Sequence, residues 1–346
     1  MSKPQGRATR QPSMADVGRH AEVSAQTVSR YFTGGYLSDE TRQRVEEAIS
    51  ELGYRRNHLP RSLRRSRTDT IGYLAIGPLN FGSGGILTGL SRAARAAGQS
   101  LLTTQLSQGP EAQGSLEEAH RALETFLSLR VDGIVVGTPY RDLEQVLEFI
   151  GKAVPVIAAT ELVSAPVDCV RVDSHHAGTL AVEHLAALGH TRILHLGGPP
   201  ATNEAAERRR GYEETMARLG LPILPVVSCS AWTADAAAEA AGELDPSGFT
   251  AVFAANDLLA LGLTSHLHGK GLTCPDDFSI VGVDDMPETA FYTPPLTTAR
   301  IDFELVGETA CAALLERIRT GQRQQLSTVG TQLTVRASTA PPRQEA

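Results

Sequence analysis

Cysteine is scarce in this chain: 346 residues hold four, Cys169, Cys229, Cys274 and Cys311. They lie far apart with no CxxC spacing, which excludes a zinc ribbon and a disulfide-stapled scaffold and suits a reducing compartment. No run approaches the roughly 18 apolar residues of a membrane span. The basic N-terminus lacks the apolar core of an export signal, so a cytoplasmic, non-membrane protein is predicted. Catalytic signatures are missing as well: there is no GxSxG elbow, no HExxH and no GxxxxGK(S/T) phosphate loop. Gly82, Gly84 and Gly85 follow a strand-like run, but Leu87 stands where GxGxxG needs its third glycine. His176 and His184 fall two turns apart on a helix, too far to share one ion. With His175 and His190 they read as helix-surface and turn residues. No enzyme, cofactor or metal site is expected.

Charge is present but unevenly placed. Residues 1–67 carry 13 Lys/Arg against 7 Asp/Glu, while the remainder carries 19 against 32, giving the overall −7. A basic head on an acidic body locates any phosphate-binding surface at the N-terminus. The length allows a small module plus one or two α/β lobes, and an apolar content of 41% is ordinary for a globular chain.

Ser13 to Phe32 reads SMADVGRHAEVSAQTVSRYF, two short helical patterns meeting at a tight turn. Ser13 and Asp16 have capping-box spacing, and Met14, Val17 and Ala21 form one apolar face. Glu22 and Val23 make the turn, and Ser24 caps the second helix. There Val28, Tyr31 and Phe32 fall on one side, while Gln26 and Arg30, four apart, project from another. Gln pairs bidentately with adenine and Arg with the O6/N7 edge of guanine in a major groove. A helical hairpin with a solvated outer face is the plainer reading of such a face alone. The caps and the string VSAQTVSR (Val23 to Arg30) favour DNA reading. After Gly34-Gly35, Ser38 caps a third helix with Val45, Ala48, Ile49 and Leu52 as its stripe, stopped at Gly53. NHLPRSLRRSR (Asn57 to Arg67) follows and by itself reads as a solvated linker.

From Thr70 the pattern becomes alternating strands and helices, which argues parallel sheets covered on both faces. Strands are predicted at TIGYLAI, Leu101–Leu106, GIVVG, VPVIAAT, ILHLGG, TAVFAAND and FSIVGVDD, with helices between, the first of them from Ile86 to Gly98. Asp302 to Thr320 is predicted as a long helix with Leu305, Val306, Thr309, Leu314 and Ile318 facing inward. Thr328 to Arg336 is predicted as one last strand. A crevice is expected at the C-terminal ends of the strands. Asn256 and Asp257 open a helix there, as a cap or as ligand contacts. Asp284 ends a strand at an equivalent place. Trp232, the only tryptophan, is a core residue or an aromatic platform.

Several strings extend a single resemblance along the chain: VSAQTVSR, then DSHHAGTLAVEHLAALGHTRILHLGGP (Asp173 to Pro199), AANDLLALG, VGVDD and YTPPLTT. Together they resemble the LacI/GalR family of bacterial transcriptional regulators. The resemblance implies a three-helix helix-turn-helix (lambda-repressor-like) DNA-binding domain plus an α/β two-lobed periplasmic-binding-protein-like (type I) core. It divides the chain into a tail (1–12), the DNA-binding domain (13–56), a hinge helix or linker (57–68), an effector core (69–340) and a second tail (341–346). The core's N-lobe would be 69–172 and 303–330, its C-lobe 173–300 and 331–340.

The resemblance also assigns roles. Ser24, Ala25, Gln26, Thr27, Ser29, Arg30, Asn57 and Leu63 would contact DNA, Leu63 as a minor-groove wedge; Pro60 departs from the usual alanine of that hinge. Arg208, Asn256 and Asp284 would hydrogen-bond an effector, with Trp232 and Phe303 as its aromatic walls. In the N-lobe, polar pocket positions of galactoside-responsive relatives become Ile76, Gly137, Thr160 and Ile301, and Glu161 beside Thr160 reads as a substitute acceptor or, more simply, as a solvated loop carboxylate. The implied protein is a nucleoid-associated, homodimeric repressor that binds double-stranded operator DNA and is released by a small molecule, most simply a sugar. Its dimer seam is expected near Phe81 to Ala97. A corepressor-type regulator and a sugar-binding transport protein are the alternatives.

Overall fold

The computed structural model describes residues 12–55, 67–106, 115–138, 140, 144–161, 167–323 and 327–343. Two compact units emerge, Met1–Thr68 and Asp69–Ala346. Among the described residues the first contains three helices: α1 (Met14–His20), α2 (Ala25–Phe32) and α3 (Asp39–Leu52). Each predicted cap is formed. Ser13 and Asp16 make a capping box, Ser24 accepts from the Thr27 amide and Ser38 from the Thr41 amide, and Gly53 ends α3 in the left-handed conformation at φ +58°. Val17, Ala21, Val28, Val45 and Ala48 close a small core with Tyr54, which helical periodicity did not reach. Two polar links brace it: His20 to Glu51 at 2.6 Å and the Tyr31 hydroxyl donating to Glu46 at 3.0 Å.

The second unit is built on two six-stranded sheets. Its elements in order are β1 (Thr70–Ile76), α4 (Phe81–Ala96), β2 (Ser100–Leu106), α5 (Ser115–Ser128), β3 (Gly133–Gly137), α6 (Glu144–Ala153), β4 (Val156–Ala159), β5 (Asp168–Val172), α7 (Ser174–Ala187), β6 (Ile193–Gly197) and α8 (Asn203–Arg218). Then follow β7 (Val227–Ser228), α9 (Ala234–Ala240), β8 (Ala251–Ala254), α10 (Asp257–Gly269), β9 (Ser279–Asp284), β10 (Thr297–Ile301), α11 (Phe303–Thr320), β11 (Ser327–Val329) and β12 (Thr331–Thr334). The first sheet has order β11-β5-β4-β3-β1-β2 and the second β12-β10-β9-β8-β6-β7. Every pairing is parallel except β10 with β12. Buried apolar strands with helices on both faces are the expected consequence of such crossovers.

The chain passes between the lobes three times: from β5 into α7, from β10 into α11, and from β11 into β12. The last passage corrects the single strand expected at Thr328–Arg336. Val329 ends a strand of one sheet and Thr331 begins a strand of the other, so one continuous strand would have to belong to both lobes. The switch is tied to the first passage: Asp173 donates its amide to the Val329 carbonyl at 3.2 Å, and the Thr331 hydroxyl donates to the Asp173 carbonyl at 3.0 Å.

Three further expectations change. Helix α4 begins at Phe81 rather than Ile86, because Asn80 and Ser83 form a capping box upstream of the glycines. A side chain at Gly82 or Gly85 would run into Phe303, and one at Gly89 into the Glu304 carbonyl; these glycines let α4 lie against α11. On α11 the buried face is Val306, Gly307, Ala310, Cys311 and Leu314, and Leu305 points outward at 45% exposure. The register follows from Asp302 capping the helix and Phe303 facing α4. His190 is buried, not a surface turn residue. Its ring nitrogens meet the Thr250 hydroxyl at 2.9 Å, and the Ser279 hydroxyl at 3.1 Å and Ala340 carbonyl at 2.9 Å. Burial lowers its pKa.

Candidate DNA-reading surface and ligand cleft

In the three-helix unit, α2 owes its position to two close approaches. Gly18 on α1 packs so tightly on the turn that an added Cβ would stand 2.8 Å from the Val23 carbonyl oxygen. Glu22 absorbs the reversal at φ +54°, an uncommon conformation for a residue with a side chain. The result exposes one side of α2. Val28 is buried beneath it, while Ala25, Gln26 and Arg30 are exposed and Thr27 and Ser29 half-exposed. Ser24 is occupied as the cap, its hydroxyl accepting from the Thr27 amide at 3.1 Å. Among the described residues Gln26 and Arg30 meet no side-chain partner, so their polar groups are free to find one. The stem of Arg30 lies against Gly35, whose own amide returns to the Arg30 carbonyl at 3.0 Å. Asn57 and Leu63 lie outside the described residues.

In the two-lobed unit a cleft runs across the C-terminal ends of the strands. Its lining brings together Arg208, Trp232, Asn256, Asp284 and Phe303, all five predicted effector positions. Arg208 is 3% exposed. Its Nη1 donates to the Ala255 carbonyl at 2.5 Å, Nη2 lies 3.5 Å from Asp284 Oδ1, and its guanidinium carbon sits 5.4 Å from the Trp232 ring centroid. Its Nε is buried without a hydrogen-bond partner. Asn256 forms the expected cap and also lines the cleft: its Oδ1 accepts from the Leu259 amide of α10 at 2.8 Å. Nδ2 makes only a long 3.5 Å contact to the Trp232 carbonyl. Asp284 ends β9 at φ +112°, a conformation seldom tolerated without surrounding support. Behind it, buried Asp257 accepts from the Thr298 hydroxyl at 2.6 Å and the Met286 amide at 2.9 Å. Burial raises the pKa of both acids, and Arg208 opposes the rise at Asp284.

The aromatic walls are set by small residues. Trp232 lies on Gly198, where no side chain would fit, and Phe303 stands over Gly82 and Gly85, edge-on to Phe81 with centroids 6.1 Å apart. Of the N-lobe positions, Ile76 and Gly137 line the cleft, whereas Thr160 and Ile301 are not among its lining residues.

Two cleft residues were missed from the sequence. Tyr73 fills the space that Gly137 leaves: a Cβ there would come within 2.5 Å of its hydroxyl. That hydroxyl is buried and unpartnered, and burial pushes it up to about 12. Its signal was a hydroxyl in the middle of an otherwise apolar run, Ile71 to Ile76. Glu204 lines the cleft one helical turn before Arg208, and its Oε2 is sealed from solvent without a partner. Burial pushes it up to about 7, with Arg208 pulling the other way. Its signal was the four-residue spacing to Arg208.

Glu161 is not among the cleft-lining residues, and its burial corrects the solvated reading. It is 5% exposed, Oε1 accepts from the Ser174 amide at 2.8 Å, and Oε2 has no partner. Burial first, then the nearby Glu204 carboxylate, push it up to about 8. Beside it the lobes are stitched together: Asn203 Nδ2 donates to the Tyr140 carbonyl at 2.9 Å and lies 3.4 Å from the Thr160 hydroxyl.

Comparison with known proteins gives the following likenesses. Residues 13–57 match the description "Bacterial regulatory proteins, lacI family" and residues 182–339 "Periplasmic binding protein-like domain". The chain is 32% identical over 326 residues to the ribose operon repressor of Escherichia coli (strain K12), covering 90% of this chain and 95% of that one. To the lactose operon repressor of the same strain it is 30% identical over 310 residues, covering 88% and 84%. A crystal structure of the lac repressor dimer bound to operator and the anti-inducer ONPF superposes with a TM-score of 0.86 at 27% identity, covering 96% of this chain and all of that one.

Proposed function

The chain belongs to the lacI family of bacterial regulatory proteins, and from that membership we propose how its two units work together. It is a sequence-specific DNA-binding transcriptional repressor whose hold on operator DNA is released by a small molecule bound between the core lobes, with a sugar as the ligand class. Two copies act as a homodimer on a near-palindromic site in the bacterial cytoplasm. Each α2 enters a major groove with Gln26 and Arg30 toward base edges. Basic residues of the N-terminal unit contact phosphates, which supplies much of the affinity and makes it fall with salt.

The observation that carries the ligand half is the convergence of Arg208, Trp232, Asn256, Asp284 and Phe303 on one cavity. Flat rings suit the apolar faces of a sugar ring, and Asn256, Asp284 and the unpartnered Arg208 Nε suit its hydroxyls. Both lobes line that cavity, so a ligand bridging them biases their relative position. Release then requires the ligand to prefer the DNA-incompetent arrangement, typically by ~1–3 kcal/mol. The test is selection of bound duplexes from a random library at moderate salt, followed by titration of mono- and disaccharides against the selected duplex. A preferred palindrome released by one sugar class supports the reading. A ligand that tightens binding would make it a corepressor system, and no preference over random duplex would refute it.

A further inference from the structure

The cleft is not electrically balanced. Among the described residues its lining holds two carboxylates, Glu204 and Asp284, and one guanidinium, Arg208. Arg208 is committed to Asp284, to the Ala255 carbonyl and to the Trp232 face. Glu204 is steadied by its own backbone amide, but its Oε2 is sealed from solvent with no partner, and it sits on the same wall. Glu161, buried and with Oε2 unpartnered, lies outside the cleft lining but close enough for its carboxyl and that of half-buried Glu204 to repel.

A buried acceptor without a donor is costly, and a buried carboxylate without a cation more so. A ligand hydroxyl would satisfy the hydrogen bond and leave the charge uncompensated. A ligand ammonium would do both, through a short charge-assisted bond. The rings of Trp232, Phe303 and Phe81 give the cleft apolar surface, so the body of the ligand remains a sugar ring.

We propose that Glu204 is the specificity-determining residue of the cleft and that it selects an amino sugar, a polyhydroxylated ring bearing a protonated amine. This rests on the ligand-cleft reading above and adds the class of ligand to it. Arg208, Asp284 and Glu161 are the charged groups that bear on Glu204 or on its neighbour. The one cation among them, Arg208, is turned to Asp284, which leaves Glu204 without a cation of its own. The bond formed is non-covalent: at neutral pH the ammonium replaces the proton that burial holds on Glu204 for part of the molecules.

The experiment uses the purified full-length protein and matched probes: glucosamine, galactosamine and mannosamine, their parent hexoses, and their N-acetyl forms, which keep the nitrogen and lose the charge. Affinity is measured by calorimetry, and the same compounds are tested for release of a selected duplex. An amine at least tenfold tighter than its parent and its N-acetyl form, with that preference lost in Glu204→Gln and partly kept in Glu204→Asp, is the expected result. Melting curves and duplex binding of both variants confirm that they are folded. Parent hexoses that bind as well as their amines, with Glu204→Gln unchanged, overturn the selection while leaving the cleft reading intact. If no compound binds or affects the duplex, the cleft reading falls and the selection with it.

Discussion

Replacing Glu161 with glutamine should stabilise the two-lobed unit, increasingly so as pH rises. Its carboxyl goes from the ordinary 4.5 to about 8 on folding, so the folded state holds the proton more tightly than the unfolded chain. Below about 4.5 both states are protonated and the group is neutral for stability; from there to about 8 the unfolded chain ionises first and stability is lost, and above about 8 the penalty is complete. Each pKa unit is about 1.4 kcal/mol, so the ceiling is about 5 kcal/mol. Water penetration and relaxation around a buried charge reduce it, and about 1–3 kcal/mol is the expected gain of Glu161→Gln at pH 8.5. The amide oxygen can still accept from the Ser174 amide, now at 2.8 Å from Oε1, so the loss at low pH should be small. Urea unfolding of both proteins at equal concentration, at pH 5 and pH 8.5, reads the difference. Equal midpoint shifts at the two pH values would refute the reasoning, because they would mean that no charge is being removed.

Other substitutions test separate links. Arg30→Ala should weaken duplex binding by roughly 1–3 kcal/mol and relax sequence choice at one base pair per half-site; retained discrimination would take base reading away from Arg30. Trp232→Ala should leave duplex affinity unchanged and abolish the sugar response in the same titration, and an unchanged response would make Trp232 a core residue. Gly89→Val places a side chain against the Glu304 carbonyl and should force α4 from α11, lowering the melting temperature of the core by several degrees; an unchanged melting curve would show that the two helices can part without cost.

The local signals of this chain determined its elements. Serine and asparagine caps, left-handed stops and runs of apolar residues act within a few positions, so α1 to α3 and most strands of both lobes were readable from spacing alone. The exposed polar side of α2 was readable too, because 3.6-residue periodicity separates Gln26 and Arg30 from Val28. Asn256, Asp284 and Phe303 sit at a strand end or helix start, whereas Arg208 inside α8 and Trp232 in the loop before α9 were singled out by the family resemblance. What only the tertiary structure decided is what happens where distant segments meet. Two strands from opposite lobes share the stretch around Gly330, and glycines at 82, 85 and 89 serve helix packing instead of a phosphate loop. Tyr73, Glu161 and Glu204 acquire their unpartnered, desolvated atoms from elements far along the chain. Burial and charge pairing are sums over such neighbours, and no local pattern carries them.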